Sequence, residues 1–431
     1  MKWVKIAGLT LLGLILIFFA LLGYLYTTRG TPTEVVLSTT DSIPPPQIGD
    51  PDFLRSVALL TKTDFLPGHA VEPLFDGNGT YPRFWQDLRA ARKSLILQMY
   101  YSKPGAVADS LKRNLLAAAR RGVRVYALFD AFGSQNLSDE YMDSLRTGGV
   151  RVAAFRPVKW YTLHKAQSRS HVRIVIIDDT VAYTGGFGVA DYWLGDGHSK
   201  DHWRETNVRF SGPSVRQMQA AFATGWAEAT GELLTGWQQP AMSSAATAGA
   251  IAGLLYAEPT LGTTAAERFL ALTISGARRT LYITNAYFLP DDDFRRMLRK
   301  AAQRGVDVRV LTAGKESDVQ SVRMAGRRHY EELLRAGVRI YEFRPTMVHA
   351  KTIVADDLWA TIGTMNFDNR SLAFNEESNL IIQDSAVALR LRRQFEDDLR
   401  FSQEVKLAAF QKRGLWAKFL ERVVSFASNL L

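Results

Sequence analysis

Hydrophobic positions along the chain fall into three patterns. The first is an unbroken apolar run, Ile6 to Tyr26, 21 residues without a charge. As a helix rising about 1.5 Å per residue it is long enough for the roughly 30 Å core of a bilayer. Trp3, Tyr24 and Tyr26 sit at its ends, where aromatic rings favour the headgroup layer. The run exceeds the apolar region of a signal peptide and no small-x-small cleavage pattern follows, so an uncleaved anchor is expected. Lys2, Lys5 and the terminal amine precede it while only Arg29 follows closely. The positive-inside rule then puts the N-terminus in the cytoplasm and the body outside, as a single-pass protein of the cell membrane.

The second pattern is a spacer rich in Pro, Ser and Thr, with Pro32 and the run Pro44-Pro45-Pro46. The third alternates short strand-like runs with amphipathic helices. In AAARRGVRVYALFD (117–130) a helix presents Arg120 and Arg121 to solvent, Gly122 stops it, and Val123 to Phe129 reads as a buried strand. Strands and helices in this order predict an α/β sandwich.

The third pattern occurs twice. AAARRGVRVYALFD is answered by KAAQRGVDVRVLTA (300–313), and YMDSLRTGGVRVAAFRP (141–157) by YEELLRAGVRIYEFRP (330–345). The strand entry at Ala91–Tyr101 is answered at Ala277–Tyr287. The offset drifts only between 183 and 189 residues, which means two domains rather than a solenoid. Small residues from Gly231 to Ala250 read as the connector between them.

Composition narrows the chemistry. The chain has no cysteine, which excludes disulfide scaffolds, thiolate metal sites and cysteine nucleophiles. With 53 Lys+Arg against 43 Asp+Glu the net charge is +10, a bias toward polyanions such as an anionic lipid surface or nucleic acid. The apolar run favours lipid over nucleic acid. From Lys406 to Leu431 there are five Lys/Arg and one Glu, with Phe410, Leu415, Trp416, Phe419, Leu420, Val423, Val424 and Phe426 at mostly helical spacing. Such a helix suits either an anionic membrane surface or packing on the body.

Each half ends in one cluster. The second has His349-Ala-Lys351, Asp356, Gly363-Thr-Met-Asn366, Arg370-Ser371 and Asn375-Glu376-Glu377; the first has His171-Val-Arg173, Asp178, Gly185-Gly-Phe-Gly188 and Trp203-Arg204-Glu205. Both the histidines and the aspartates are 178 residues apart. At this chain's residue frequencies the pattern His-x-basic-x4-acidic arises by chance roughly 0.1 times. Two occurrences at equivalent places in a repeat are therefore strong. Alternate side chains of an extended segment share a face, so each half offers an imidazole beside a fixed cation. Two such pairs around one phosphodiester would supply a nucleophile, a proton donor and positive charge for the phosphoryl oxygens, with no metal or other cofactor.

HAKTIVAD at His349, GTMN at Gly363 and RSLAFNEE at Arg370 resemble the second HxKx4D motif of the phospholipase D superfamily. GVRIYEF, AYFLPD at Ala286, WRETNVR at Trp203 and the amphipathic tail are similar to bacterial cardiolipin synthases, over about residues 85 to 431. The resemblance implies two phospholipase D-like α/β-sandwich repeats packed about a pseudo-twofold axis, and the apolar run places an N-terminal transmembrane helix ahead of them. The expected division is anchor 1–30, spacer 31–60, first repeat 61–235, connector 236–260, second repeat 261–400 and basic tail 401–431.

It also implies a covalent phosphatidyl transfer between phosphatidylglycerol molecules through a phosphohistidine. His171 would be the nucleophile and His349, protonated at the outset, the acid. Lys351 and Arg173 would hold phosphate oxygens with help from Asn366. Glu205 and Glu377 would each orient the imidazole of its own half, and Asp178 and Asp356 would buttress the site rather than touch substrate. Hydrolysis of phospholipid, nuclease activity and a non-enzymatic lipid-binding role are the alternatives. The last rests on two departures in the first half, Arg173 for lysine and Gly188 where the second half has Asn366. His198 and His202, with Asp191 and Asp201 nearby, have zinc-like spacing, but Gly195 and Gly197 argue against the helix such a site needs. His164-Lys165 lies in a segment inserted before His171 and reads as a solvated loop.

Overall fold

A computed structural model describes residues 2–27, 33–39, 44–157, 168–236, 249–260 and 262–425. The strands of the first half are β1 (Leu66–Phe75), β2 (Ser94–Met99), β3 (Arg124–Asp130), β4 (Arg151–Phe155), β5 (Ile174–Ile177), β6 (Val181–Gly185) and β7 (Thr206–Ser211). The second half repeats them as β8 (Ala250–Ala257), β9 (Thr280–Asn285), β10 (Asp307–Ala313), β11 (Arg339–Phe343), β12 (Lys351–Ala355), β13 (Trp359–Gly363) and β14 (Glu377–Gln383), and adds β15 (Ser402–Glu404).

Hydrogen-bonded neighbours run β15-β11-β10-β9-β12-β13-β14-β8-β1-β7-β6-β5-β2-β3-β4. Read outward from the β8–β1 junction, the two halves have the same order. β2, β3 and β4 are parallel, as are β9, β10 and β11, because the connections between them are helices. β5–β6 and β12–β13 are antiparallel hairpins.

Three apolar layers follow from this order. One outer layer packs Leu88, Leu111, Leu115 and Leu145 of the first half's helices onto Leu95, Leu97 and Val125. The other packs Phe269, Ile274, Leu298 and Leu333 onto Leu281, Val308 and Val310. The middle layer joins the halves: Ile96, Ile174, Ala182, Val208, Phe222 and Trp226 meet Leu254, Ala360, Ile362, Leu380 and Leu391. The Val- and Ile-rich strands are buried on both faces, which is why they read as continuous apolar runs.

Several stretches depart from the expected divisions. Within the stretch taken as spacer, the helix Pro51–Thr61 buries Phe53 and Val57 in the second half's core, and Gly276 has no side chain because the Phe53 ring lies where its Cβ would be. β8 lies inside the stretch taken as connector. β15 pairs with β11 although it belongs to the expected tail. The N-terminal helix runs Lys2–Thr27 and exposes Leu9, Leu16, Ile17 and Phe19. Among the described residues no helix is long and apolar enough to cross a membrane.

Arg204 ties the halves together below the site. It is 1% exposed, donates from Nε to Asp398 Oδ1 at 2.9 Å, and meets Asp76 at 3.3 Å and Thr206 Oγ1 at 3.0 Å. Truncating one member of such a cluster leaves buried charge uncompensated. Arg204→Ala is therefore expected to lower unfolding stability by about 3–5 kcal/mol. The midpoint of chemical denaturation checks this, and a loss below about 1 kcal/mol would show that the two carboxylates find other partners.

Candidate active site

The two histidines lie just ahead of β5 and β12, and each is held by the opposite half. The His171 N–H donates to the Glu376 carbonyl at 3.0 Å, and the His349 N–H donates to the Arg204 carbonyl at 2.7 Å. Short parallel bridges, Ser170 with Glu376 and Arg204 with Val348, set this register. Each glutamate therefore arrives beside the histidine of the other half. His171 Nδ1 lies 3.0 Å from both Glu377 carboxylate oxygens, and His349 Nδ1 lies 2.6 Å from Glu205 Oε2. This corrects the expectation that each glutamate orients its own half's imidazole. A spacing counted along one half could not reveal an exchange made at the interface.

The imidazoles line a cavity of about 360 Å³ together with Tyr100, Arg173, Trp193, Trp203, Tyr287 and Asn366. With Nδ1 engaged by a carboxylate, each ring has Nε2 as its remaining nitrogen for the cavity. Arg173 donates to the His171 and Phe187 carbonyls at 2.6 and 3.2 Å, which fixes its guanidinium beside His171. Lys351 is fully buried behind His349. It donates to the His349 carbonyl, its Nζ lies 2.9 Å from His349 Nδ1, and it is not among the residues lining the cavity.

Asp178 and Asp356 sit away from this cluster. Asp178 accepts the backbone N–H groups of Arg92, Lys93 and Ser94, and Asp356 those of Arg278, Arg279 and Thr280. Both occupy left-handed positions, with φ of 50° and 54°, in the turns of the hairpins β5–β6 and β12–β13. Asp tolerates that conformation better than most residues. They pin the starts of β2 and β9 to the histidine-bearing strands, a buttressing role without contact to the imidazoles.

Gly188 has a steric explanation. A Cβ there would lie 2.7 Å from the Trp193 ring, and the Trp193 indole N–H donates to Glu205 at 3.1 Å. The indole fills the space that a side chain at 188 would need. Gly186 likewise lets the Glu205 carboxylate approach, since a Cβ would lie 2.4 Å from it. Its counterpart Thr364 instead donates its hydroxyl to Glu377. The motif pattern did not point to Trp193, Tyr100 or Tyr287, or to Asp318, which lines the same cavity and accepts the Tyr287 hydroxyl at 2.8 Å. The one available signal was the aromatic density around Trp193 and Trp203, which face His349 at ring distances of 5.5 and 5.3 Å.

Burial dominates the electrostatics. It pushes the His171 imidazole well below its ordinary value, with Arg173 and Lys351 adding to the effect. Burial and then Lys351 bring His349 down to about 4. Both shifts favour the neutral imidazole, the direction opposite to the expectation of an initially protonated His349. Burial also lowers Lys351 to about 7. The two glutamates diverge. Burial raises Glu377 to about 7, while His349 and Lys351 outweigh burial at Glu205 and bring it to about 2.

The zinc-like histidines do not form a site. His198 packs on Phe401 at 4.3 Å, His202 Nδ1 bonds Ser199 Oγ at 2.9 Å, and Asp191 caps the helix Ala106–Arg120 through the Ala106 and Val107 N–H groups. Among the described residues no group of three or more His, Cys, Asp or Glu could hold a metal ion. His164 and Lys165 lie outside the described residues.

Residues 84–226 and 270–399 match the family model described as cardiolipin synthase, PLD-like domain. The chain belongs to this family, whose two matched segments each contain one histidine motif. Curated relatives include a cardiolipin synthase of Halalkalibacterium halodurans, 32% identical over 83% of this chain and 71% of that protein. Another, from Geobacillus kaustophilus, is 34% identical over 83% of this chain and 72% of the relative. Among solved structures, phosphatidylserine synthase of Haemophilus influenzae matches with a TM-score of 0.64 at 13% identity, covering 88% of this chain and 97% of that one. Polyphosphate kinase of Porphyromonas gingivalis matches with a TM-score of 0.53 at 12% identity, covering 84% of this chain and 53% of the kinase. At these identities the two structures share the fold alone.

The Lys351 ammonium is the group beside the imidazoles that loses its charge near neutrality. Its folded value is depressed to about 7, so the cation is present below that pH and lost above it. The alkaline limb of kcat/KM for phosphodiester turnover should therefore fall near pH 7, and Lys351→Arg should move it upward by more than one unit while lowering kcat. An unmoved limb in the arginine variant would assign the limb to another group.

Proposed function

We propose that the chain is a phosphatidyltransferase of the cardiolipin synthase type, moving a phosphatidyl group from one phosphatidylglycerol to another through a phosphohistidine. The observation that carries the reading is the pair of crossed His–Glu contacts opening on one cavity beside Arg173. His171 Nε2 attacks phosphorus and the phosphorus–oxygen bond to glycerol breaks. His349 gives its proton to the departing oxygen. It then takes the proton of the acceptor hydroxyl, whose oxygen attacks phosphorus and releases His171.

The division of labour follows from the partners. Glu205 meets His349 at 2.6 Å while Glu377 stands 3.0 Å from His171, so the closer carboxylate favours an imidazolium at His349. The entering phosphodiester anion supplies the further negative charge that brings a proton onto His349. Arg173, charged at every relevant pH, faces the phosphoryl oxygens, and Asn366 offers them a hydrogen bond. Lys351 acts from behind His349 by holding its carbonyl and the Glu205 charge.

The membrane is the setting this reading requires. On the strength of the sequence alone, the uncharged run from Ile6 to Tyr26 is the anchor of this reading, with the body on the far side from the N-terminus; the described part of the helix Lys2–Thr27 is not itself long and apolar enough to cross.

Labelled phosphatidylglycerol incubated with the protein in excess chelator should give cardiolipin and glycerol. Phosphatidic acid in place of cardiolipin would make the chain a hydrolase, and no turnover would overturn the reading. Mass spectrometry after acid-free quenching should find the adduct on His171; an adduct on His349 would reverse the two roles. Separately, deletion of residues 1–30 should make the body extractable from membranes by salt. A truncated body that resists high salt even without the segment from Lys406 onward would mean that another membrane contact exists.

A further inference from the structure

The short helix Leu415–Ser425 near the C-terminus has two unlike faces. Its inner face is fixed to the body. Val424 packs on Leu289, Val322 and Ala325, and Glu421, 5% exposed, pairs with Arg413 at 2.9 Å and with Arg327 at 3.6 Å. The Arg328 guanidinium donates to Ser425 Oγ at the same seam. This helix is therefore held in place by its own ion pairs and apolar contacts.

Its outer face is apolar and open. Leu415 is 85% exposed, Trp416 69%, Phe419 54% and Val423 49%, and the Trp416 and Phe419 rings stack 5.5 Å apart. The spacing from 416 to 419 to 423 is one helical stripe. Lys412 and Arg422 are exposed beside it. The one acidic residue of the segment, Glu421, is neutralised internally, so the charge left facing outward is positive. An apolar stripe with tryptophan, bordered by cations, is complementary to an anionic bilayer surface, whose headgroups meet the cations while the stripe enters the acyl boundary. A second protein surface would have to bury those same cations.

The placement adds a functional link. The inner face of this helix rests on the helix Gln320–Arg327, whose Val322, with the adjacent Val319, lines the cavity that holds the two histidines. We infer that the outer face of Leu415–Ser425 is a docking surface for an anionic lipid bilayer, set against the wall of the active-site cavity so that lipid headgroups are presented beside it. Docking itself is independent of the transferase reading; only the kinetic consequence rests on it.

The chain has no cysteine, so single labelling sites can be introduced without background. The full-length protein carrying Phe419→Cys with an environment-sensitive fluorophore is reconstituted into vesicles of phosphatidylcholine alone, or of equal parts phosphatidylcholine and phosphatidylglycerol. Arg89→Cys, exposed on the first half's outer helix, is the control. Nitroxide-labelled lipid should quench the probe at 419 at least about threefold more than at 89 in the phosphatidylglycerol vesicles, and high salt should reduce the difference. Equal quenching at the two sites, or no dependence on phosphatidylglycerol, overturns the inference. A probe at 419 that is shielded from aqueous iodide yet not quenched by lipid also overturns it, because protein would then cover the face. In the kinetic arm, Trp416→Ser with Phe419→Ser should lower turnover of bilayer phosphatidylglycerol about tenfold and leave that of a short-chain monomeric analogue unchanged. If wild type turns over neither lipid, the transferase reading fails while the quenching result stands on its own.

Discussion

The site depends on an exchange of carboxylates between the halves. A buried imidazole beside a fixed cation has no reason to take up a proton unless a carboxylate stands against it. Neither half supplies that carboxylate to its own histidine. Glu377 reaches His171 and Glu205 reaches His349 because the segments bearing them pair across the interface, from Ser170 to Glu376 and from Arg204 to Val348. An isolated half would carry a histidine without its partner. The active unit is therefore the pair of repeats, and the middle apolar layer that holds them together maintains the catalytic geometry as well as stability.

Concentrating so many ionisable groups in the interior is tolerable only because each finds an opposite. Arg173 and Lys351 stand against Glu377 and Glu205, and immediately below, Arg204 stands between Asp76 and Asp398. Single buried charges would be strongly destabilising, whereas compensated clusters hold a register. The motif aspartates do comparable work with hydrogen bonds. Each gathers three backbone N–H groups at the start of a neighbouring strand and so fixes where the histidine strand lies.

Duplication has left the halves similar in backbone and different in chemistry. The second half keeps lysine, threonine and asparagine at 351, 364 and 366; the first has arginine, glycine and glycine at 173, 186 and 188. The glycines of the first half are not losses. Gly186 admits Glu205, and Gly188 admits the Trp193 indole that bonds it. One result is that the two carboxylates are held by different donors, Glu205 by the Trp193 indole and Glu377 by the Thr364 hydroxyl.

Periodicity and repetition made much of the protein legible from sequence: the duplicated α/β halves, the strand entries at Ala91 and Ala277, and the matched His-x-basic-x4-acidic segments. These features are local, set by alternation along a strand or by spacing within a turn. Asp178 and Asp356 were readable as supports for the same reason, since a carboxylate one residue past a strand is placed to cap its neighbour. The partner of each histidine was not readable, because nothing in a linear spacing states which half a glutamate will face after the interface forms. Nor was the meaning of Gly188, which depends on an indole that the fold brings beside it, or the site of Phe53, buried in a core whose members other than Ile48 and Val57 lie more than two hundred residues away. The C-terminal helix shows the same divide. Its sequence set an amphipathic stripe with basic flanks, and only tertiary packing decided that the face bearing Val424 and Glu421 is bound to the body while Trp416 and Phe419 remain open.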